Sequence, residues 1–214
     1  EFNPKRLNRD KINLESFYKS NGFLEVHILS EYVSISKKYN QINIFINEGR
    51  QYRLKYLDIT GNKLLSEKQI RDHLNVKISK YYNPGHLRNQ MKSLKREYLK
   101  QGKINIAIMD EVIIEEDNVT VRINIAEGIT FFVREIYITG LEFVKEKYIL
   151  RELLFHNQEK YNIKKIDESR SRIFDSRLFS LVEITPRLIE NEIGLVDIEI
   201  KVREYKSSSI EANF

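Results

Sequence analysis

The chain has 214 residues, 41% of them hydrophobic and 31% charged, with a net charge of +5 and a sequence pI near 9.1. That balance describes a folded chain of one to three domains and excludes intrinsic disorder. With no cysteine, disulfide frameworks and thiolate metal sites are excluded, and no apolar run approaches the roughly 18 residues of a membrane-spanning helix.

In chain order, "NPKRLNRDKINLESFYKSNGF" reads as a helix. It is followed by a hairpin, "LEVHILSEYVSIS" and "QINIFINEG", ending on Glu48-Gly49. Next, "QYRLKYLDIT" carries apolar residues at Tyr52, Leu54, Tyr56 or Leu57, and Ile59, a period near two that predicts a strand. Gly61-Asn62 closes it with residues that tolerate positive φ. Ser66 and Gln69 have capping-box spacing, and Ile70 and Leu74 continue a short helix. Asn83 and Pro84 predict the cap and first turn of a second helix, with an apolar stripe at Leu87, Met91, Leu94 and Tyr98. Gly102 ends it. "INIAIMDEVIIEE" and "VTVRINIAEG", joined by a polar turn, then predict a β-hairpin.

The pattern then repeats. Glu48–Asn75 aligned with Glu127–Leu154 at an offset of 79 gives nine identities in 28 pairs, among them Glu-Gly at the start and Ile-Thr-Gly at the strand's end. The repeat continues with helices near Lys145–Phe155 and Lys164–Ser176, then the hairpin "FSLVEITPRLIE" and "GLVDIEIKVRE". "NPKRLNRDKINLESFYKSNGF" matches "NPGHLRNQMKSLKREYLKQGK" at an offset of 80, so the opening residues fit the back half of a third unit. The start at Glu1, without Met, is expected of an excised or mature fragment. The fold class is therefore α+β: tandem β-α-α-β-β repeats, each a three-stranded mixed sheet covered by two helices. Expected boundaries are 1–48 (the C-terminal part of a unit), 49–127 and 128–204 (complete units), and 205–214 (a linker). Glu48, Gly49, Glu127 and Gly128 form the joints.

These units resemble POTRA domains, the polypeptide-transport-associated repeats of BamA-type outer-membrane assembly factors. The resemblance rests on the Glu-Gly joint, the strand with Tyr52, Leu54, Leu57, Ile59, Gly61 and Asn62, and "FY-x-x-x-GF" (Phe17, Tyr18, Gly22, Phe23). "IFDSRLFSLVEI" is similar to a further family segment. Two positions depart from the family pattern: Leu141 replaces an Asn and Arg177 replaces a Gly. The resemblance implies a periplasmic scaffold at the bacterial outer membrane, without catalysis or cofactor. It implies unfolded outer-membrane proteins as clients, accessory assembly proteins as partners, and a C-terminal β-barrel of the same protein beyond "SSSIEANF". The alternative within the resemblance is the POTRA region of an organellar import channel or of a two-partner secretion transporter; two and a half units argue against the latter, to which the family pattern gives two.

Connectivity and the right-handed crossover rule place the first strand of each unit parallel to the hairpin's second arm. The first arm is then a sheet edge, able to take an extended client through backbone hydrogen bonds. The candidate edges are Leu24–Glu31, Ile104–Val112 and Leu181–Thr185, or these edges are simply covered by neighbouring segments. The client-binding candidates are Ile104, Asn105, Ile106, Ala107 and Ile108 on the middle edge, and Leu181, Val182, Glu183 and Ile184 on the last. Arg88, Lys92, Arg96 and Lys100 repeat every four residues on the second helix, either a wet face or a stripe facing anionic lipid. The basic excess lies in residues 50–128, which carry 15 basic and 10 acidic side chains. The rival reading, a KH-like nucleic-acid module, requires a G-x-x-G loop between the helices; "NVKISKYYNP" has none. Nucleic acid is thus not expected as a partner. The four histidines share no metal-like spacing, and no catalytic or nucleotide-binding motif occurs.

Overall fold

A computed structural model describes residues 3–34, 40–190 and 192–205. The chain divides into two compact units, Glu1–Leu94 with Ile108–Ala126 and Lys95–Ala107 with Glu127–Phe214. Among the described residues no helix is long and apolar enough to cross a membrane.

In the first unit, α1 (Pro4–Ser20) starts where the Asn3 side chain accepts from the amides of Lys5 and Arg6. β1 (His27–Ser34) and β2 (Asn40–Asn47) follow as an antiparallel pair. β3 (Arg53–Thr60) leads to α2 (Glu67–Leu74), α3 (Pro84–Lys100), β4 (Ala107–Glu115) and β5 (Asn118–Ala126), of which Lys95–Lys100 of α3 and Ala107 of β4 belong to the second unit. The sheet order is β3-β5-β4, with β3 parallel to β5. This is the expected arrangement, and it leaves β4 on the edge. A register shift between Leu54 and Tyr56 decides which neighbour faces inward: Leu57 is buried and Tyr56 is exposed. Ile70, Leu74, Leu87 and Leu94 close over Val119, Val121, Ile123 and Ile125, all at most 2% exposed. The equivalent positions on β2, Ile42, Ile44 and Ile46, are 40–47% exposed, so the same apolar alternation is open on that two-stranded sheet.

The Ser66–Gln69 capping box forms in full, each side chain meeting the other residue's amide. At the same place in the next repeat stand Lys145 and Tyr148, which offer no such pair. The expected helix over Lys145–Phe155 accordingly shrinks to α4 (Lys147–Leu150), with no side-chain cap and with 3₁₀-type bonds around it.

In the second unit, β6 (Phe132–Thr139) precedes α4, then α5 (Ile163–Asp175), β7 (Phe179–Leu188) and β8 (Leu195–Glu204). The order is β6-β8-β7, with β6 parallel and β7 antiparallel to β8. Its core joins Phe131, Ile149, Phe155, Ile166, Ile173, Phe179 and the inward residues of β8. At 13 residues α5 is four shorter than α3, one turn, so Ile173 takes the place of Tyr98 as the last buried residue of its helix.

Both departures from the repeat have structural answers. Asn62 ties its own loop by donating to Leu65 O at 2.9 Å. Leu141 packs on the core instead, and the corresponding loop is held by Glu204, whose carboxylate accepts from the amides of Glu142, Phe143 and Val144. Those three donors hold the Glu204 carboxyl below the usual carboxylate range. Arg177 follows α5 at φ +59, the left-handed position that Gly102 occupies after α3 at φ +78. Replacing Arg177 with Gly should therefore stabilise the chain by about 0.5–1 kcal/mol, the αL relief less glycine's entropy, read as a raised urea midpoint with unchanged slope.

Candidate functional site

The exposed sheet edges are where the fold leaves backbone groups unpaired, and their construction starts at the helix exits. After α3 the chain turns through Gly102, with Lys103 N donating to Tyr98 O at 3.1 Å and Ile104 N to Gly102 O at 3.1 Å. That turn absorbs three of the expected edge residues. Ile104 packs partly buried on the core, Asn105 lies against Gly128, and Ile106 is 3% exposed with its amide donating to Lys103 O. The expected edge over Ile104–Val112 is thus corrected to Ala107–Glu115, so Ile104, Asn105 and Ile106 lie outside it while Ala107 and Ile108 begin it. The expected edge at Leu24–Glu31 likewise starts later, at His27.

β7 covers the third expected edge in full. There Val182 and Ile184 turn inward, each 8% exposed, so Leu181 and Glu183 are the members on the other face. Pro186, opposite Ile198 and exposed, removes one backbone donor from the edge. β4 contains no proline. Its apolar residues Met109, Val112 and Ile114 are 58%, 39% and 47% exposed. Beside it, a shallow cavity on the outer sheet face is lined by Asp58, Thr60, Met109, Asp110, Glu111 and Arg122. Arg122 spans it, reaching Glu111 at 3.5 Å and Asp58 at 4.0 Å.

The basic stripe is divided by its contacts. Arg96 donates to Asp167 at 2.6 Å and Lys100 to Glu97 at 2.7 Å, leaving Arg88 and Lys92 with no ion-pair partner among the described residues. At the joints Gly49 and Gly128 take φ +68 and +65, each packed against the turn before a hairpin, at Glu25 and Asn105. Glu48 is exposed. Glu127 is 8% exposed and lies beside the buried Tyr98 hydroxyl, which has no hydrogen bond of regular geometry. Burial first, and then this carboxylate, push the Tyr98 phenol up to about 12. His86 turns its ring nitrogen to the last carbonyls of α2, at 3.2 Å from Leu74 O. Among the described residues no group of three or more His, Asp or Glu side chains could hold a metal ion. The expected linker lies outside the described residues except for Tyr205.

One cluster has no local signal in the sequence. Asp197, on the central strand β8 and fully buried, is gripped by Arg134 through two bonds of 2.9 Å and by Arg187 at 3.2 Å. Arg134 sits in the register shift of β6, and Arg187 is the direct cross-strand neighbour of Asp197. Glu192 closes the group, at 2.9 Å from Arg134. The Arg134 hydrogen bonds above all, and then Arg187, hold the Asp197 carboxyl below its ordinary range against the opposing effect of burial.

The POTRA family, described as a surface antigen variable number repeat, matches residues 1–49, 52–128 and 131–205. The chain belongs to the POTRA family. Its units are of the BamA type: the chain is 25% identical over 213 residues to the outer membrane protein assembly factor BamA of Buchnera aphidicola, covering 98% of this chain and 34% of that protein. The BamA of Neisseria meningitidis is 23% identical over 221 residues, covering 99% of this chain and 27% of that protein. The chain thus spans about a third of the length of the first of these relatives. Among solved structures, the POTRA3-5 segment of BamA from Haemophilus influenzae aligns with a TM-score of 0.73 at 18% identity, covering 95% of this chain and 82% of that one. BamA from Haemophilus ducreyi lacking POTRA domains 1–3 aligns at 0.61 and 17%, covering 72% of this chain and 30% of that one. These likenesses bear out the expected α+β POTRA fold.

Proposed function

We propose that this POTRA array is a non-catalytic scaffold on the periplasmic side of the bacterial outer membrane. It receives unfolded outer-membrane proteins and accessory assembly partners by adding their extended segments to open sheet edges, ahead of a β-barrel of the same protein. In this reading 1–48, 49–127 and 128–204 act as successive units, and Arg88 and Lys92 face anionic headgroups. The observation that carries it is β4: a nine-residue, proline-free strand at a sheet edge with exposed apolar side chains. Such an edge binds through backbone N–H and C=O groups and so tolerates many client sequences, while side chains of alternate residues set preference.

Hydrogen exchange tests this. On adding an extended peptide of alternating apolar residues, the outward-facing amides within Ala107–Glu115 should slow by about tenfold or more when most of the chain is occupied. Those of β7 around Pro186 should change less. Peptide binding with unchanged exchange along β4 would overturn the assignment.

A further inference from the structure

We propose that β4 selects extended segments carrying lysine or arginine, spaced between apolar residues. The inference rests on the edge-pairing reading above and deepens it by naming the class of segment.

Charge is distributed unevenly along this edge. Residues 50–128 hold 10 acidic and 15 basic side chains, yet residues 107–117 hold five acidic and no basic ones. Half of the acid in a basic stretch is thus gathered on one edge strand and its turn. Asp110, Glu111, Glu115, Glu116 and Asp117 are all exposed. The cations near them neutralise little. Arg122 meets Glu111 at 3.5 Å and Arg50 meets Asp117 at 3.9 Å, between groups that are each more than half exposed, where such pairs contribute weakly. Among the described residues Asp110, Glu115 and Glu116 have no ion pair. The other candidate edges lack this character: β7 carries one acid, Glu183, and one base, Arg187, and β1 carries only Glu31 besides His27.

The acids are interspersed with the exposed Met109, Val112 and Ile114, on both faces of the strand. A segment added as the next strand places its side chains opposite these, where opposite charges stabilise the pair and like charges oppose it. Backbone bonds alone would accept any extended chain. The acids make the edge reject an acidic segment and hold a basic one, and their field also speeds its approach. An edge merely guarded by charge against association would hold neither.

The experiment uses the 214-residue chain and two fluorescent peptides of the same alternating valine and threonine frame, one with four lysines and one with four glutamates. Binding is read by anisotropy. The lysine peptide should bind at least ~10-fold tighter at ~50 mM salt, with the gap narrowing at ~300 mM as screening shortens the field. Asp110→Lys combined with Glu115→Lys, both at exposed positions, takes residues 107–117 from five negative charges to a net of one and should remove most of that preference. Equal affinities for the two peptides would overturn the charge selection and leave edge pairing standing. No binding of either peptide would overturn both. A preference for lysine undiminished by the double substitution would overturn the assignment to β4.

Discussion

Gly61→Ala should be among the most damaging single-atom changes available in the first unit, and Gly140→Ala its equal in the second. Each glycine ends the first strand of its repeat, at φ +82 and +86. A Cβ there would overlap the carbonyl oxygen of the parallel neighbour, Ile125 O for Gly61 and Val202 O for Gly140. The substitution therefore adds left-handed backbone strain to a displacement of the central strand, together about 4 kcal/mol. Against a total stability of about 5–15 kcal/mol for a domain, that is a large share. Urea unfolding of the two variants is the measurement. Gly85→Ala is the matched control: it lies in the first turns of α3 without positive φ, and its nearest neighbour is Asn83 Oδ1 at 3.5 Å. There the exchange should be neutral or stabilising by up to about 1 kcal/mol. Equal losses at positions 61 and 85 would refute the steric account.

The second large effect is expected at Asp197. Asp197→Asn keeps the shape but leaves one acceptor oxygen where the carboxylate has two, sets an NH2 donor against an arginine N–H and removes the negative charge, at a cost of about 1.5–3 kcal/mol at neutral pH. The pH dependence has a definite sign. The carboxyl of Asp197 is depressed in the folded chain, so its contribution is complete above the ordinary carboxylate range. It is lost as pH falls from that range through the lowered folded value, because protonation of the folded state is the harder one. The stability difference between native chain and Asp197→Asn should thus be largest near neutrality and shrink in acid. A difference that stayed constant from pH 7 down to pH 3 would exclude the carboxylate as its source.

The repeat was legible because its signals are local. Ile-Thr-Gly before the loop, Ser66 with Gln69, Asn83 with Pro84, and the stripe Leu87, Leu94, Tyr98 each mark an element within a few residues. The offset of 79 then carried the same elements into the second copy. Even the shortening of α4 had a written cue, since Lys145 and Tyr148 replace the capping pair. The edge was misplaced by three residues because "INIAIM" alternates from its first isoleucine. Nothing in that alternation records that Lys103 and Ile104 are drawn back into the turn after α3. The alternation does not decide between Tyr56 and Leu57 for a related reason: only the register against β5 fixes the shift that turns Leu57 inward. The Asp197 cluster was invisible because its members are 63 and 10 residues apart and meet only once β6 and β7 flank β8. The acidic run near β4 was plain in the sequence, but its meaning depends on that strand lying at the edge.

The parallel pairing of first and last strands has a mechanical consequence. In each complete repeat the strand that enters, β3 or β6, lies beside the strand that leaves, β5 or β8, and runs in the same direction. Tension applied along the chain pulls such a pair lengthwise past one another. All the ladder bonds are then loaded together in shear, rather than broken one at a time as in a peeled hairpin. Each repeat is therefore built to transmit a pull along the chain while its edge strand, outside the force path, keeps its shape.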